Sequence, residues 1–113
     1  MTKTILITGA GHGFAKATAF ILAEKGHNVI ATAEIWPQVT ELIAEAKSKN
    51  LDNLIIEKLD VTKQRERDYL TNKYHIDVLF SNSGFMEACP IGEQPVDLIR
   101  SMFDINVFSA LEF

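Results

Sequence analysis

Cysteine is almost absent from this 113-residue chain. The single thiol, Cys89, rules out an intrachain disulfide framework and any multi-thiolate zinc site. It lies beside Pro90 in an expected loop with no second Cys or His to activate it, and reads as inert. Long apolar runs are missing too. Met1-Thr2-Lys3-Thr4 leads into a short hydrophobic stretch broken at Thr8 and Gly9, too brief for a signal-peptide core or a membrane span, so a cytoplasmic protein without a membrane partner is expected. Clustered positive charge is also lacking: 11 Lys and Arg face 15 Asp and Glu, for a net charge of −4. That leaves no electrostatic footprint for nucleic acid. No His, Cys, Asp or Glu grouping has metal-ligand spacing, and no metal is expected. Repeats and low-complexity segments are absent.

A hydrophobic content of 47% is ordinary for a globular protein, and the whole chain, 1–113, is expected to form one domain. Apolar periodicity lays out alternating strands and helices. A first strand, Thr4 to Ile7, precedes a helix from Gly13 to Lys25 that Gly26 ends. A second strand runs from Asn28 to Thr32. Pro37 then opens a helix with a core stripe of Val39, Leu42, Ile43 and Ala46. Leu54 to Glu57 is a third strand, and Thr62 is the expected N-cap of a helix from Lys63 to Tyr74. Ile76 to Phe80 reads as a buried parallel strand. A loop from Asn82 to Pro95 leads to a last helix, Val96 to Phe113. Right-handed crossovers join these units into an α/β, Rossmann-like, doubly wound parallel sheet of order 3-2-1-4.

The stretch Thr8-Gly9-Ala10-Gly11-His12-Gly13-Phe14-Ala15 sits where the first strand turns into the first helix. Small residues there let backbone N–H groups approach a pyrophosphate, and the helix dipole adds partial positive charge. The plain G-x-G-x-x-G/A spacing fails at Phe14, which is instead expected to pack under the helix. The spacing T-G-x-x-x-G-x-G is met by Thr8, Gly9 and Gly13, with Ala15 in the last place.

Three further segments follow in order: Asp60-Val61-Thr62 after the third strand, Ser81-Asn82-Ser83-Gly84 at the end of the fourth, and Phe103-Asp104-Ile105-Asn106-Val107 in the last helix. Together with the glycine loop, this set resembles the short-chain dehydrogenase/reductase family over essentially the whole chain. The resemblance implies an NAD(P)-dependent oxidoreductase that moves hydride between a nicotinamide cofactor and an alcohol or carbonyl substrate. Thr8, Gly9, Gly11, His12, Gly13 and Phe14 would then hold the pyrophosphate. Asp60 and Val61 would hold the adenine, and Asn82, Ser83 and Gly84 would approach the ribose. His12 either faces the pyrophosphate or is an exposed loop histidine. Asp60 is either an adenine contact or a capping carboxylate.

Glu34 lies about 20 residues past the glycine loop, where an acid accepts from the ribose 2′-OH, and no Lys or Arg occurs between Asn28 and Lys47. That favours NAD over NADP. Ala33, however, occupies the usual acidic position, and members that use NADP often carry Arg where Glu34 aligns. Trp36 is expected as a loop anchor beside the adenine end, and Phe85 and Met86 as a border of the substrate pocket.

Asn106 matches the family's Asn, whose backbone carbonyl positions a proton-relaying water. The family's Ser and Tyr-x-x-x-Lys follow that helix and have no counterpart after Asn106 here. This polypeptide alone is therefore expected to be inactive, a cofactor-binding part of a longer protein. Tyr69-Leu70-Thr71-Asn72-Lys73 fits the pattern literally, but it precedes the fourth strand and reads as a solvated helix face. With the later strands of the sheet lacking, the fourth strand becomes an open edge and the last helix shows apolar residues on several faces. Self-association through that helix follows as an expectation, and a non-catalytic nucleotide-binding or association module is the alternative function.

Overall fold

β-Rich apolar triplets separated by amphipathic segments dictate a layered structure, because each strand must bury both faces under helices. The computed structural model describes residues 1–85 and 90–113. Met86 and Cys89, for which the sequence suggested roles, lie outside the described residues. Strands β1 (Thr4–Ile7), β2 (Asn28–Ala33), β3 (Leu54–Lys58) and β4 (Val78–Phe80) form one parallel sheet in the order β3-β2-β1-β4. Leu6 stands between Ile30 and Leu79 in register.

Alternation along the strands divides the core in two. Ile5, Ile7, Val29, Ala31 and Leu54 face α1 (Gly13–Glu24) and α2 (Trp36–Ser48), whose Ala15, Ala19, Ala23, Leu42 and Ala46 are buried against them. On the other face Leu6 and Ile30 pack with Leu59, Val61 and Leu70, the last from α3 (Gln64–Lys73). Ile105 and Phe113 cover part of this second cluster. Small alanines on α1 bring it close to the sheet, which fixes where its N-terminus points.

Both long helices end in left-handed residues. After α1, Gly26 (φ 94°) donates to the Ala23 carbonyl and His27 to that of Leu22. Asn50 (φ 55°) and Leu51 repeat the pattern on Lys47 and Ala46 after α2. These Schellman closures satisfy the last carbonyls and aim the chain into the next strand.

Several expectations need correction. Ile43 is exposed rather than part of the α2 stripe, since the buried face is filled by Val39, Leu42 and Ala46 alone. Thr62 does not cap α3; Lys63 holds that position without a side-chain bond, and the Thr62 hydroxyl donates to Asp60 instead. Trp36 opens α2 with its ring exposed and anchors no loop. Phe14 is 90% exposed and packs under nothing, because it lies on the outward side of the first turn of α1. β4 is three residues long and solvent-accessible, since no strand pairs with its outer edge among the described residues. The last helix is interrupted: α4 (Val96–Phe103) passes through a π-helical turn, Asp104–Phe108, into the short α5 (Ser109–Leu111).

Candidate nucleotide-binding cleft

Beyond the C-terminal ends of the strands lies a cleft of about 590 Å³. Its floor is the β1–α1 turn. Gly9 (φ 65°) and Gly13 (φ 67°) are both left-handed, a conformation that L side chains avoid. Gly9 has a second reason to be bare, since a methyl on it would lie 3.0 Å from the Ser83 backbone. Between them Ala10 is buried and donates its N–H to the Thr32 carbonyl at 2.7 Å, pinning the turn to β2. His12 is the N-cap of α1 and makes no capping bond, and the first turn carries no acidic residue. The leading N–H groups of α1 are thus left without a side-chain partner, and Gly9, Gly11, His12, Gly13 and Phe14 all line the cleft.

Thr8 stands behind this floor rather than in it. Its buried hydroxyl accepts from the N–H groups of Asn82 (2.9 Å) and Ser83 (3.1 Å). That pair of bonds carries the segment after β4 alongside the glycine turn, so Asn82, Ser83 and Gly84 form the facing wall. Asn106 locks the same wall from the other side. Its carboxamide accepts from the Phe85 N–H at 2.8 Å and donates to the Phe85 carbonyl at 2.7 Å. A side chain at Gly84 would meet the Asn106 Oδ1 at 2.9 Å. Asn106 itself is outside the cleft; its neighbour Ile105 and the clamped Phe85 line it.

The remaining walls come from the ends of β2 and β3. Ala33 is buried, whereas Glu34 is exposed and lines the cleft. Asp60 accepts at Oδ1 from the Thr62 N–H (3.0 Å) and hydroxyl (2.6 Å), a local turn that rigidifies the strand end. Burial works against the Asp60 anion, but these two hydrogen bonds and the charges of Lys63 and Lys58 outweigh it, holding the carboxyl below its ordinary value. Val61 packs its side chain into the second core cluster while facing the cleft. No Lys or Arg side chain lines this space among the described residues.

Residues that the sequence did not single out include Gln38, which lines the cleft from the first turn of α2, and Arg67 behind Val61. The Arg67 side chain is only 6% exposed; it donates to the Val61 carbonyl at 2.7 Å and pairs with Glu112 at 2.8 Å. The only signal for Arg67 was a cation at a position where the α3 periodicity asks for a buried residue.

Tyr69 and Lys73 lie on α3, outside the cleft. The Lys73 ammonium sits 2.7 Å from Glu57 and 3.1 Å from the Tyr69 hydroxyl. The hydrogen bond to Glu57, then those to Tyr69 and Tyr74, raise its pKa. A lysine so held is one end of a surface ion pair. Burial and its hydrogen bond to Glu57 likewise raise the Tyr74 hydroxyl.

The cleft is thus a glycine turn feeding an uncapped helix, faced by the ends of three other parallel strands. The family model for short chain dehydrogenases matches residues 3–113. The chain belongs to the short-chain dehydrogenase family. An uncharacterized oxidoreductase of Listeria monocytogenes is 34% identical over 96% of this chain and 46% of its own length. A diacetyl reductase, (S)-acetoin forming, of Staphylococcus epidermidis is 33% identical over 98% of the chain and 45% of its own length. The closed form of a serine dehydrogenase complexed with NADP+ superposes with a TM-score of 0.83 at 27% identity, covering 96% of this chain and 45% of that one. The chain therefore spans about half the length of the curated relatives it matches. Among the described residues, no helix is long and apolar enough to cross a membrane, and no group of His, Cys, Asp and Glu is disposed to hold a metal ion.

Proposed function

We propose that this chain is the cofactor-binding part of an NAD(P)-dependent oxidoreductase acting on a small alcohol or carbonyl compound. The observation that carries the reading is the β1–α1 cradle: two left-handed glycines, a helix start without a capping side chain, and a cleft directly in front of it. The residues present fit a dinucleotide. Gly9, Gly11, His12, Gly13 and Phe14 would meet the pyrophosphate, with unpaired N–H groups and the positive end of the α1 dipole opposing its charge. Asp60 and Val61 would border the adenine, and Asn82, Ser83 and Gly84 the ribose at the other end. When bound, a nicotinamide dinucleotide supplies the hydride acceptor or donor; the protein orients it and excludes water around it.

Glu34 favours NAD. A carboxylate lining the cleft accepts from a ribose hydroxyl, and the lack of a lining cation leaves a 2′-phosphate facing Glu34 and Asp60 without compensation. A similar serine dehydrogenase is complexed with NADP+, which makes the direct comparison of NAD with NADP the informative measurement. Asn106 is the candidate proton-relay residue: with its carboxamide committed to Phe85, its main-chain carbonyl is what it offers a bound water. Substrates of the kinds named for the relatives, a vicinal dicarbonyl compound or a hydroxy amino acid, fall within the proposed class.

The second reading is an association module, favoured by the accessible Val78, Leu79 and Phe80 of β4 and by Phe103, Phe108 and Leu111 of the terminal helix. Calorimetric titration of the chain with NAD and NADP separates the two. Saturable binding, tighter for NAD, is expected; no binding by a folded sample would leave association as the better account.

A further inference from the structure

We propose that Gln38 reads the ribose hydroxyls at the adenosine end of the cleft together with Glu34, an inference that rests on the dinucleotide reading above. The argument begins at Gly11. Gly9 and Gly13 have left-handed backbones, whereas Gly11 does not, and what distinguishes Gly11 is the side chain that lies beside it. A methyl built on Gly11 runs into the carboxamide of Gln38. Gln38 therefore reaches across from the first turn of α2 and lies against the glycine turn, filling the room that a side chain at position 11 would take.

The reaching group is half-buried, lines the cleft, and makes no hydrogen bond to any described residue. A carboxamide held against a backbone turn with its donors and acceptor unused is set up for a ligand. Glu34, four residues earlier and on the other side of Pro37, lines the same cleft. A carboxylate only accepts, whereas the carboxamide offers two N–H donors and one acceptor. A vicinal diol, each hydroxyl both donor and acceptor, complements that pair: one hydroxyl donates to Glu34 and an oxygen accepts from Gln38. A phosphate ester, which only accepts and carries charge, matches the amide but is opposed by the carboxylate.

The test is a chemical cycle on the full chain. Affinities of wild type, Gln38→Ala and Gln38→Glu are measured by calorimetry for 5′-AMP and its 2′-deoxy and 3′-deoxy analogues, with circular dichroism showing that every variant is folded. Both substitutions suit a helix, and Gln38→Glu keeps the shape while removing the N–H donors. In wild type, deleting the hydroxyl that Gln38 reads should weaken binding about fivefold to tenfold. In either variant 5′-AMP should itself weaken by a similar factor, and the same deletion should then cost less than twofold. A purely structural Gln38 would leave the hydroxyl penalties unchanged, and equal penalties for both analogues in wild type and variants overturn the proposal while 5′-AMP binding itself sustains the dinucleotide reading. If folded wild type binds neither 5′-AMP nor NAD, the dinucleotide reading fails and this proposal falls with it.

Discussion

At the residue scale the cradle depends on what is missing from two positions. Nothing lies within 4 Å of a methyl built on Gly13, so packing would allow a side chain there; the φ of 67° does not. A β-branched residue in that region costs roughly 1–2 kcal/mol or more and brings two methyl groups to the start of α1. Gly13→Val is expected to lower the melting temperature modestly and to abolish NAD binding in calorimetric titration. Retained affinity would remove the glycine turn from the proposed site. Asp60 is legible in a different measurement. Its pKa is lowered in the folded chain, chiefly by the Thr62 hydrogen bonds acting against burial, so the native state favours the anion. The resulting stability is fully present above the unfolded-state value of about 4 and is lost as pH falls through the lower folded value. The difference in melting temperature between wild type and Asp60→Asn should therefore shrink as pH is lowered from about 5 towards 3. A difference independent of pH would mean that the Thr62 bonds do not distinguish anion from acid.

At the element scale the least expected feature is the Arg67 latch between α3 and the end of the terminal helix. Arg67 is nearly enclosed, and its Nε has no partner among the described residues, while Glu112 is 56% exposed. The two ends of this pair should therefore respond unequally. Arg67→Ala strips the Val61 carbonyl of its donor and leaves a hole in the second core cluster, for an expected loss of about 3 kcal/mol. Water can replace Glu112 at the half-open end, so Glu112→Ala should cost about 1 kcal/mol or less. Urea denaturation of both variants checks the asymmetry, and equal losses would place the pair at the surface in energetic terms.

The contrast between elements also explains what the sequence made legible. The strands were readable because Ile5-Leu6-Ile7, Val29-Ile30-Ala31 and Leu54-Ile55-Ile56 are apolar runs punctuated by glycine and polar turns, and their order 3-2-1-4 because βαβ crossovers are right-handed. The glycine turn and Glu34 were readable from residue type and spacing at strand ends, Asp60 and the Asn82–Gly84 wall only through the family resemblance, and the structure gathers all of them around one cleft. Gln38 and Arg67 were not, since both act through contacts across the fold, to Gly11 and Glu112, that no local pattern encodes. Phe14, Ile43 and Trp36 misled for a related reason: hydrophobicity at helical spacing does not say which side of a short turn faces the core. The π-helical turn at Asp104–Phe108, which contains the Asn106 that grips Phe85, had no sequence signal in the apolar periodicity.

For the whole molecule, apolar surface is distributed unevenly. The helices on the first face bury their stripes, whereas α4 has no buried residue and shows Val96 and Phe103 to solvent. The radius of gyration is 15.1 Å, against about 13 Å for a compact chain of this length, and the long axis reaches 50 Å. An extended outline with accessible Phe80, Phe103, Phe108 and Leu111 is a recipe for association in water. Sedimentation velocity over a tenfold concentration range is expected to show reversible self-association, reduced by Phe108→Glu. A monomer at all concentrations would count against an interface on the terminal helix.

Thr8 gives the molecule one further property. A single hydroxyl accepts both N–H groups at the root of the cleft wall, and the strand leading into that wall has only three residues. Opening the segment requires release of these two bonds and of the two that Asn106 makes to Phe85, a local excursion below the energy of global unfolding. Deuterium uptake at the Asn82 and Ser83 amides should be fast in the free chain and slow markedly when a nucleotide occupies the cleft, whereas the β1 and β2 amides should be indifferent to it. The wall would then behave as a small door held at one end by a hydroxyl oxygen and at the other by a carboxamide.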